Sequence, residues 1–135
     1  MILADYAQAA DGKLNVIGAG WSITGPGPAP FAIALDIKVP WDHTNMRHTM
    51  RLELVDADGS PVLVPTADGE QPLYVESTFE VGRPAGLKPG TPIDVPIAMN
   101  FPAMPLPPGG RFEWRLSIDG ETHGDWRVAF STRPA

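Results

Sequence analysis

Large apolar side chains recur at every second position along most of this chain. In the stretch 31–39 they fall at Phe31, Ile33, Leu35, Ile37 and Val39. A period of two turns successive side chains to opposite faces of a strand, so these five share one face. In 47–55, Met50, Leu52 and Leu54 alternate with Arg51 and Glu53. Phe112, Trp114, Leu116 and Ile118 alternate with charged and small polar residues between Arg111 and Asp119. Trp126, Val128 and Phe130 repeat the pattern. Val75, Phe79 and Val81 lie opposite Glu76, Thr78 and Glu80, and Ile93, Val95, Ile97 and Met99 lie opposite Asp94 and Asn100. Asp-Gly pairs at 11–12, 58–59, 68–69 and 119–120 separate such runs, a strong hairpin signal. The pattern predicts strands over 2–8, 13–20, 31–39, 47–55, 61–64, 73–81, 93–99, 111–118 and 125–131. No segment of ten or more residues carries a helical period. The expectation is one all-β domain over 1–135, an immunoglobulin-like sandwich of about nine short antiparallel strands, with a barrel as the alternative.

Proline refines this picture. Pro96 sits inside the run 93–99 and cannot donate to a ladder, which predicts an edge strand. Pro61 and Pro65 bracket another edge, and Pro26-Gly27-Pro28-Ala29-Pro30 reads as a stiff connector between sheets. Keeping both apolar sets of 111–131 inward puts Arg115 opposite Arg127, with Glu113 on the diagonal. The expected core is Leu35, Ile37, Leu52, Leu54, Phe79, Val95, Ile97, Trp114, Leu116 and Val128.

Composition narrows the function classes. Glycine (14) and proline (16) are abundant, yet 43% of residues are hydrophobic, which suits turn punctuation in a folded β domain rather than disorder. There is no cysteine, which excludes disulfides, thiolate catalysis and cysteine zinc sites. A net charge of -6 argues against a nucleic-acid partner. The apolar stretches fall short of the ~20 residues of a membrane helix. Met1-Ile2-Leu3-Ala4-Asp5 lacks a basic, then apolar, leader pattern, so a cytoplasmic location is expected.

Candidate chemistry is sparse. His43 and His48, with Asp42 between Trp41 and Asn45, could offer metal ligands, but their spacing matches no zinc motif; an Asx turn by Asp42 and Asn45 explains the loop equally well. Asp56-Ala57-Asp58-Gly59-Ser60 begins like a calcium loop, but Gly59 is at the wrong position and Ala67 stands where the loop needs Glu, so a hairpin turn is expected. His123 lies between Glu121 and Asp125 at a polar hairpin tip. No Gly-x-Ser-x-Gly elbow is present, and Gly18-Ala19-Gly20 lacks the lysine and helix of a phosphate loop; its glycines suggest a bulge or close approach within a strand. No catalytic residue, cofactor site or metal site is assigned. The segment 101–110, with Pro102 and Pro105 in PxxP spacing, reads as a crossover whose Met104 and Leu106 cap the core, or as a docking ligand. Trp21, Trp41, Met104 and Leu106 are the candidate interface residues, since aromatics at sheet ends and apolar loop residues can anchor a partner.

Two stretches carry a resemblance. Ala4-Asp5-Tyr6-Ala7, followed by Gly12-Lys13-Leu14-Asn15-Val16-Ile17-Gly18 and Gly20-Trp21, resembles an uncharacterised bacterial family of small β domains of unknown function. Pro107-Pro108-Gly109-Gly110-Arg111-Phe112, leading to Ile118-Asp119-Gly120, resembles the final hairpin of immunoglobulin-like modules. The resemblance implies no known activity. The reading is therefore a non-enzymatic interaction or structural module, contacting a protein partner or its own copy through Trp41 and the 101–108 end. A small-ligand or carbohydrate binder using Trp21, Trp41 and loop carboxylates is the alternative, and a hydrolase built from scattered acids stands behind it. An exposed flat apolar patch would favour a protein partner; a concave pocket with convergent polar groups would favour a ligand.

Overall fold

The alternating segments form strands wherever the pattern is strong. In a computed structural model covering Met1–Ala135, the run Phe31–Val39 is one nine-residue strand, and its five large apolar side chains are all buried. The protein is all-β apart from a 3-10 turn at Trp41–His43. The strands are β1 (Ile2–Ala4), β2 (Tyr6–Ala10), β3 (Lys13–Ile17), β4 (Ile23–Thr24), β5 (Phe31–Val39) and β6 (His48–Asp56). They continue with β7 (Leu63–Thr66), β8 (Gly69–Pro72), β9 (Tyr74–Phe79), β10 (Ile93–Phe101), β11 (Arg111–Ile118) and β12 (Arg127–Thr132).

Two larger sheets share one core. The three-stranded sheet runs β1-β5-β10 and the five-stranded sheet runs β4-β12-β11-β6-β9. Leu3 of β1 and Phe31, Ile33, Leu35, Ile37 and Val39 of β5 join Met50, Leu52 and Leu54 of β6 in a single buried cluster. Phe112, Trp114 and Leu116 of β11 and Phe130 of β12 complete that cluster. The connector 26–30 does cross from one sheet to the other, between β4 and β5. Of the expected core, Phe79, Val95, Ile97 and Val128 are only partly buried and pack on the rim of the cluster: Phe79 lies on β9 and Val95 and Ile97 on β10, both edge strands, and Val128 lies on a part of β12 that the short β4, paired at Ser131 and Thr132, does not reach.

Twelve strands replace the expected nine. The predicted strand 2–8 breaks at Asp5, where the chain changes partner: β1 pairs with β5, while β2 pairs with β3. The predicted strand 13–20 stops at Ile17, because Gly18 takes φ 65° and leaves the extended region. A Cβ at Gly18 would overlap the Asp5 carboxylate, so the glycine marks a close approach just past the strand rather than inside it. Two short strands, β4 and β8, carry too little alternation to be read from sequence. The Asp68-Gly69 signal nevertheless joins β7 to β8 as a hairpin.

The β2–β3 hairpin covers the outer face of the three-stranded sheet. Ala4, Ala7, Ala32 and Ala34 form a second buried cluster there, with Leu14, Val16 and Ala98 against it. The side chain of Asn100 fastens the hairpin to β10: its Oδ1 accepts from the Ala7 N–H at 3.2 Å and its Nδ2 donates to the Ala7 carbonyl at 2.8 Å. The final hairpin has the expected register, Arg115 opposite Arg127. Glu113 offsets the like charges by accepting from Arg115 Nε at 2.7 Å. Pro96 lies in an edge strand, since β10 ends its sheet.

Candidate functional site

All three histidines of the chain line one open cleft of about 640 Å³. The sequence places His43, His48 and His123 far apart, and the fold brings them to one end of the two sheets. Leu35, Ile37 and Val39 of β5 line its apolar wall, with Phe79 of β9 and Leu116 of β11. The turn after β11 supplies Asp119 and Glu121, and the loop before β12 supplies His123, Asp125 and Trp126.

His48 is the fixed point of this end. It opens β6, is buried, and has both ring nitrogens occupied. Its Nδ1 lies 2.7 Å from Asp119 Oδ2, and its Nε2 lies 2.7 Å from the His43 carbonyl oxygen. A carbonyl can only accept, so Nε2 carries a proton. A carboxylate on Nδ1 favours a second proton there, so the site favours an imidazolium beside an aspartate anion. The bond to Asp119, with the His43 carbonyl, holds the His48 pKa above its ordinary 6.5. The same bond, aided by the Thr49 N–H on Asp119 Oδ1 at 2.8 Å, holds Asp119 below its ordinary 3.8. Asp119 can take this role because Asp119 and Gly120 both have positive φ, 52° and 81°, the geometry of a tight hairpin turn. The pair thus ties the end of β11 to the start of β6 and to the 3-10 turn.

While both nitrogens are held in these bonds, His48 presents no free nitrogen to a metal or to a substrate. No group of three or more His, Asp or Glu side chains is clustered so as to hold a metal ion. The carboxylate of Asp56 is taken up by its own turn, accepting from the N–H groups of Asp58 and Ser60 at 2.9 and 3.0 Å. Thr44 shapes the loop after Trp41, a role expected of Asp42 and Asn45: its hydroxyl donates to the Trp41 carbonyl at 2.7 Å.

The other charges of the cleft divide into paired and free. Lys38 Nζ bonds Asp94 at 2.7 Å and lies 3.5 Å from Asp36. The bond to Asp94 raises the Lys38 pKa above 10.5 and lowers that of Asp94 below 3.8. Glu121 and Asp125 are exposed and form no ion pair. Between them His123 rests on the half-buried Trp126, ring centroids 4.5 Å apart. The mouth of the cleft therefore presents an aromatic surface with two free carboxylates.

The four candidate interface residues lie elsewhere. Trp21 packs edge-on against Phe31 and Phe130, with centroids 6.1 and 5.8 Å away. Met104 and Leu106 pack on the same core and share a small cavity of about 30 Å³ with Trp21, Pro26 and Pro28. Trp41 lies under Arg83, whose guanidinium is 4.2 Å from the ring centroid and donates to the Trp41 carbonyl at 2.7 Å. The expected contact with a partner through Trp41 and the 101–108 end loses its basis, because Trp41 packs under Arg83 and Phe101, Met104 and Leu106 pack on the chain's own core. Phe79, Asp119 and Trp126 were visible in sequence only as strand or turn residues; their convergence is a product of topology, which no local signal carries.

No helix is long and apolar enough to cross a membrane. Comparison with curated proteins and with solved structures yields no match. A family model does match, over residues 1–130, and by it the chain belongs to a family of unknown function, DUF6941.

Proposed function

We propose that this protein is a non-enzymatic binding module whose ligand occupies the histidine-lined cleft. The observation that carries the reading is the cleft itself: about 640 Å³, concave, with an apolar wall and polar groups converging at its mouth. Ligand sites are commonly clefts of roughly 300–1,000 Å³ with such a lining. A flat apolar interface around Trp21, Met104 and Leu106 has less support, since those side chains pack on their own core. Non-enzymatic action is favoured because the one buried histidine has both ring nitrogens committed. The favoured ligand is small and hydroxyl-rich, such as a saccharide, with one face on Trp126 and its hydroxyls on Glu121 and Asp125. Trp126 takes the part first given to Trp21 and Trp41.

The test is a titration with a panel of mono- and oligosaccharides, followed through the four tryptophan indole signals by NMR. The expected result is a saturable shift at Trp126, lost in Trp126→Ala and weakened in Glu121→Gln. A panel that moves no cleft signal, or that moves Trp21 or Trp41 instead, refutes the assignment.

For the architecture we favour an immunoglobulin-like sandwich with additions. Its support is the strand order. β1-β5-β10 follows A-B-E, and β12-β11-β6-β9 follows G-F-C-C′. Strand β4 runs parallel to β12, as a strand that has switched sheets. The hairpins β2–β3 and β7–β8 are the additions. The buried tryptophan, Trp114, stands on the F-like strand rather than the C-like one.

A further inference from the structure

Each large sheet ends in two edges, and three of the four are guarded. Strands β1 and β4 have three and two residues, and β10 carries Pro96. Strand β9 is different. It has six residues, Tyr74-Val75-Glu76-Ser77-Thr78-Phe79, rich in strand formers and without proline or lysine.

Its backbone is set for pairing. Antiparallel bonding alternates along a strand. The Leu54 N–H donates to the Leu73 carbonyl at 3.1 Å, and the Asn45 N–H to the Val81 carbonyl at 2.8 Å. Odd-numbered residues of this stretch thus turn their backbone groups toward β6. Those of Tyr74, Glu76 and Thr78 point to the open side.

We propose that this edge is a self-pairing interface, in which two copies join antiparallel through β9 about a two-fold axis at Ser77. The five-stranded sheets then run on as one. An axis normal to the sheet keeps each face continuous, so residues of like parity must meet. An axis at Glu76 sets two carboxylates directly opposite, and one at Thr78 sets Glu76 opposite Glu80 of the second copy; both are unfavourable. An axis at Ser77 avoids this. Glu76 then meets Thr78 of the second copy, and Val75 meets Phe79. Tyr74 meets Glu80, which has no ion pair within its own chain. The guanidinium of Arg51 lies over the Tyr74 ring, 4.0 Å from its centroid, and bonds Glu76 at 3.3 Å, so the incoming Glu80 approaches a cation. The outward N–H and C=O groups of Glu76 and Thr78 bond each other across the axis. This identical partner satisfies the edge with no like charges opposed, which is why a second copy is favoured over an unrelated extended segment.

Two measurements test it on the full chain. Sedimentation across a concentration series should give twice the 14.5 kDa chain mass at the upper end. Thr78→Pro should return the mass to one chain, and at dilutions where both proteins are single chains it should leave the thermal midpoint unchanged, because the Thr78 N–H faces away from β6. Independently, single cysteines read the register in a chain that has none of its own. Across the axis, Ser77 faces Ser77 of the second copy in a wide pair, with Cα atoms about 4.5 Å apart, within disulfide reach. Ser77→Cys should cross-link on mild oxidation, and Glu76→Cys and Thr78→Cys should not. A single-chain mass at every concentration with no cross-link at Ser77→Cys overturns the proposal. So does a dimer that survives Thr78→Pro, or equal cross-linking at all three positions.

Discussion

At the scale of single residues, the His48–Asp119 pair is the feature with the clearest energetic consequence. The folded pKa of His48 is raised, so its contribution is complete below the unfolded value of 6.5 and is lost as pH rises through the folded value. The folded pKa of Asp119 is lowered, so its contribution is complete above 3.8 and is lost as pH falls through the folded value. Both terms are full only between those two unfolded values. The thermal midpoint should therefore be highest between about pH 4 and 6.5 and should decline on the alkaline side as His48 deprotonates. In Asp119→Asn, which tolerates the positive φ of the turn, the alkaline decline should flatten. Thermal scans of both proteins from pH 4 to 9 settle the matter, and parallel curves would mean that the pair does not govern the slope. The half-exposed aspartate keeps the effect modest. None of this was legible in the sequence. Local pattern places His48 in the strand 47–55 and Asp119 in an Asp-Gly turn, and the structure agrees on both. Their bond joins positions 71 residues apart, and no periodicity reports such a contact.

At the scale of elements, the strength of alternation decided what could be read. Phe31–Val39 and Arg111–Ile118 match their predicted bounds because five and four large apolar residues mark the buried face. Strand β4 has two residues and no period to detect. The outer face of β5 is instructive, because its Ala32 and Ala34 stand between the large residues and add nothing to the alternation. They are fully buried, and their small size lets β2 and β3 lie close over the sheet. The hairpin is held there by the alanine contacts and by Asn100, whose side chain substitutes for a neighbouring strand at Ala7. Asn100→Ala leaves both backbone groups of the buried Ala7 without their partner. It should cost about 1–3 kcal/mol in urea unfolding. Amide exchange should also quicken selectively across 6–17 if the hairpin loosens before the rest. Uniform exchange throughout the chain would place the hairpin's stability elsewhere.

At the scale of the whole molecule, the question is whether two sheets behave as one folding unit. The cluster beneath them draws Leu35 from the three-stranded sheet and Leu52 from the five-stranded sheet, at 3% and 0% exposure. Neither sheet has a second large apolar face of its own to bury. The outer alanine cluster holds four buried residues against fourteen in the main core, too little to sustain the three-stranded sheet alone. Burial is shared, so loss of one sheet exposes the other, and unfolding should be all-or-none. Leu35→Ala and Leu52→Ala should each cost about 2–5 kcal/mol, since both leave a cavity in the same close-packed interior. Each should lower one transition, seen at the same urea concentration by far-ultraviolet circular dichroism and by tryptophan fluorescence. Trp114, fully buried on β11, reports directly on the seam between the sheets. If Leu35→Ala splits the two signals, so that the five-stranded sheet outlasts the three-stranded one, the core is not shared in the energetic sense. Coincident curves in both variants mean that a mutation on either sheet acts on the whole fold, and on the cleft whose wall both sheets supply.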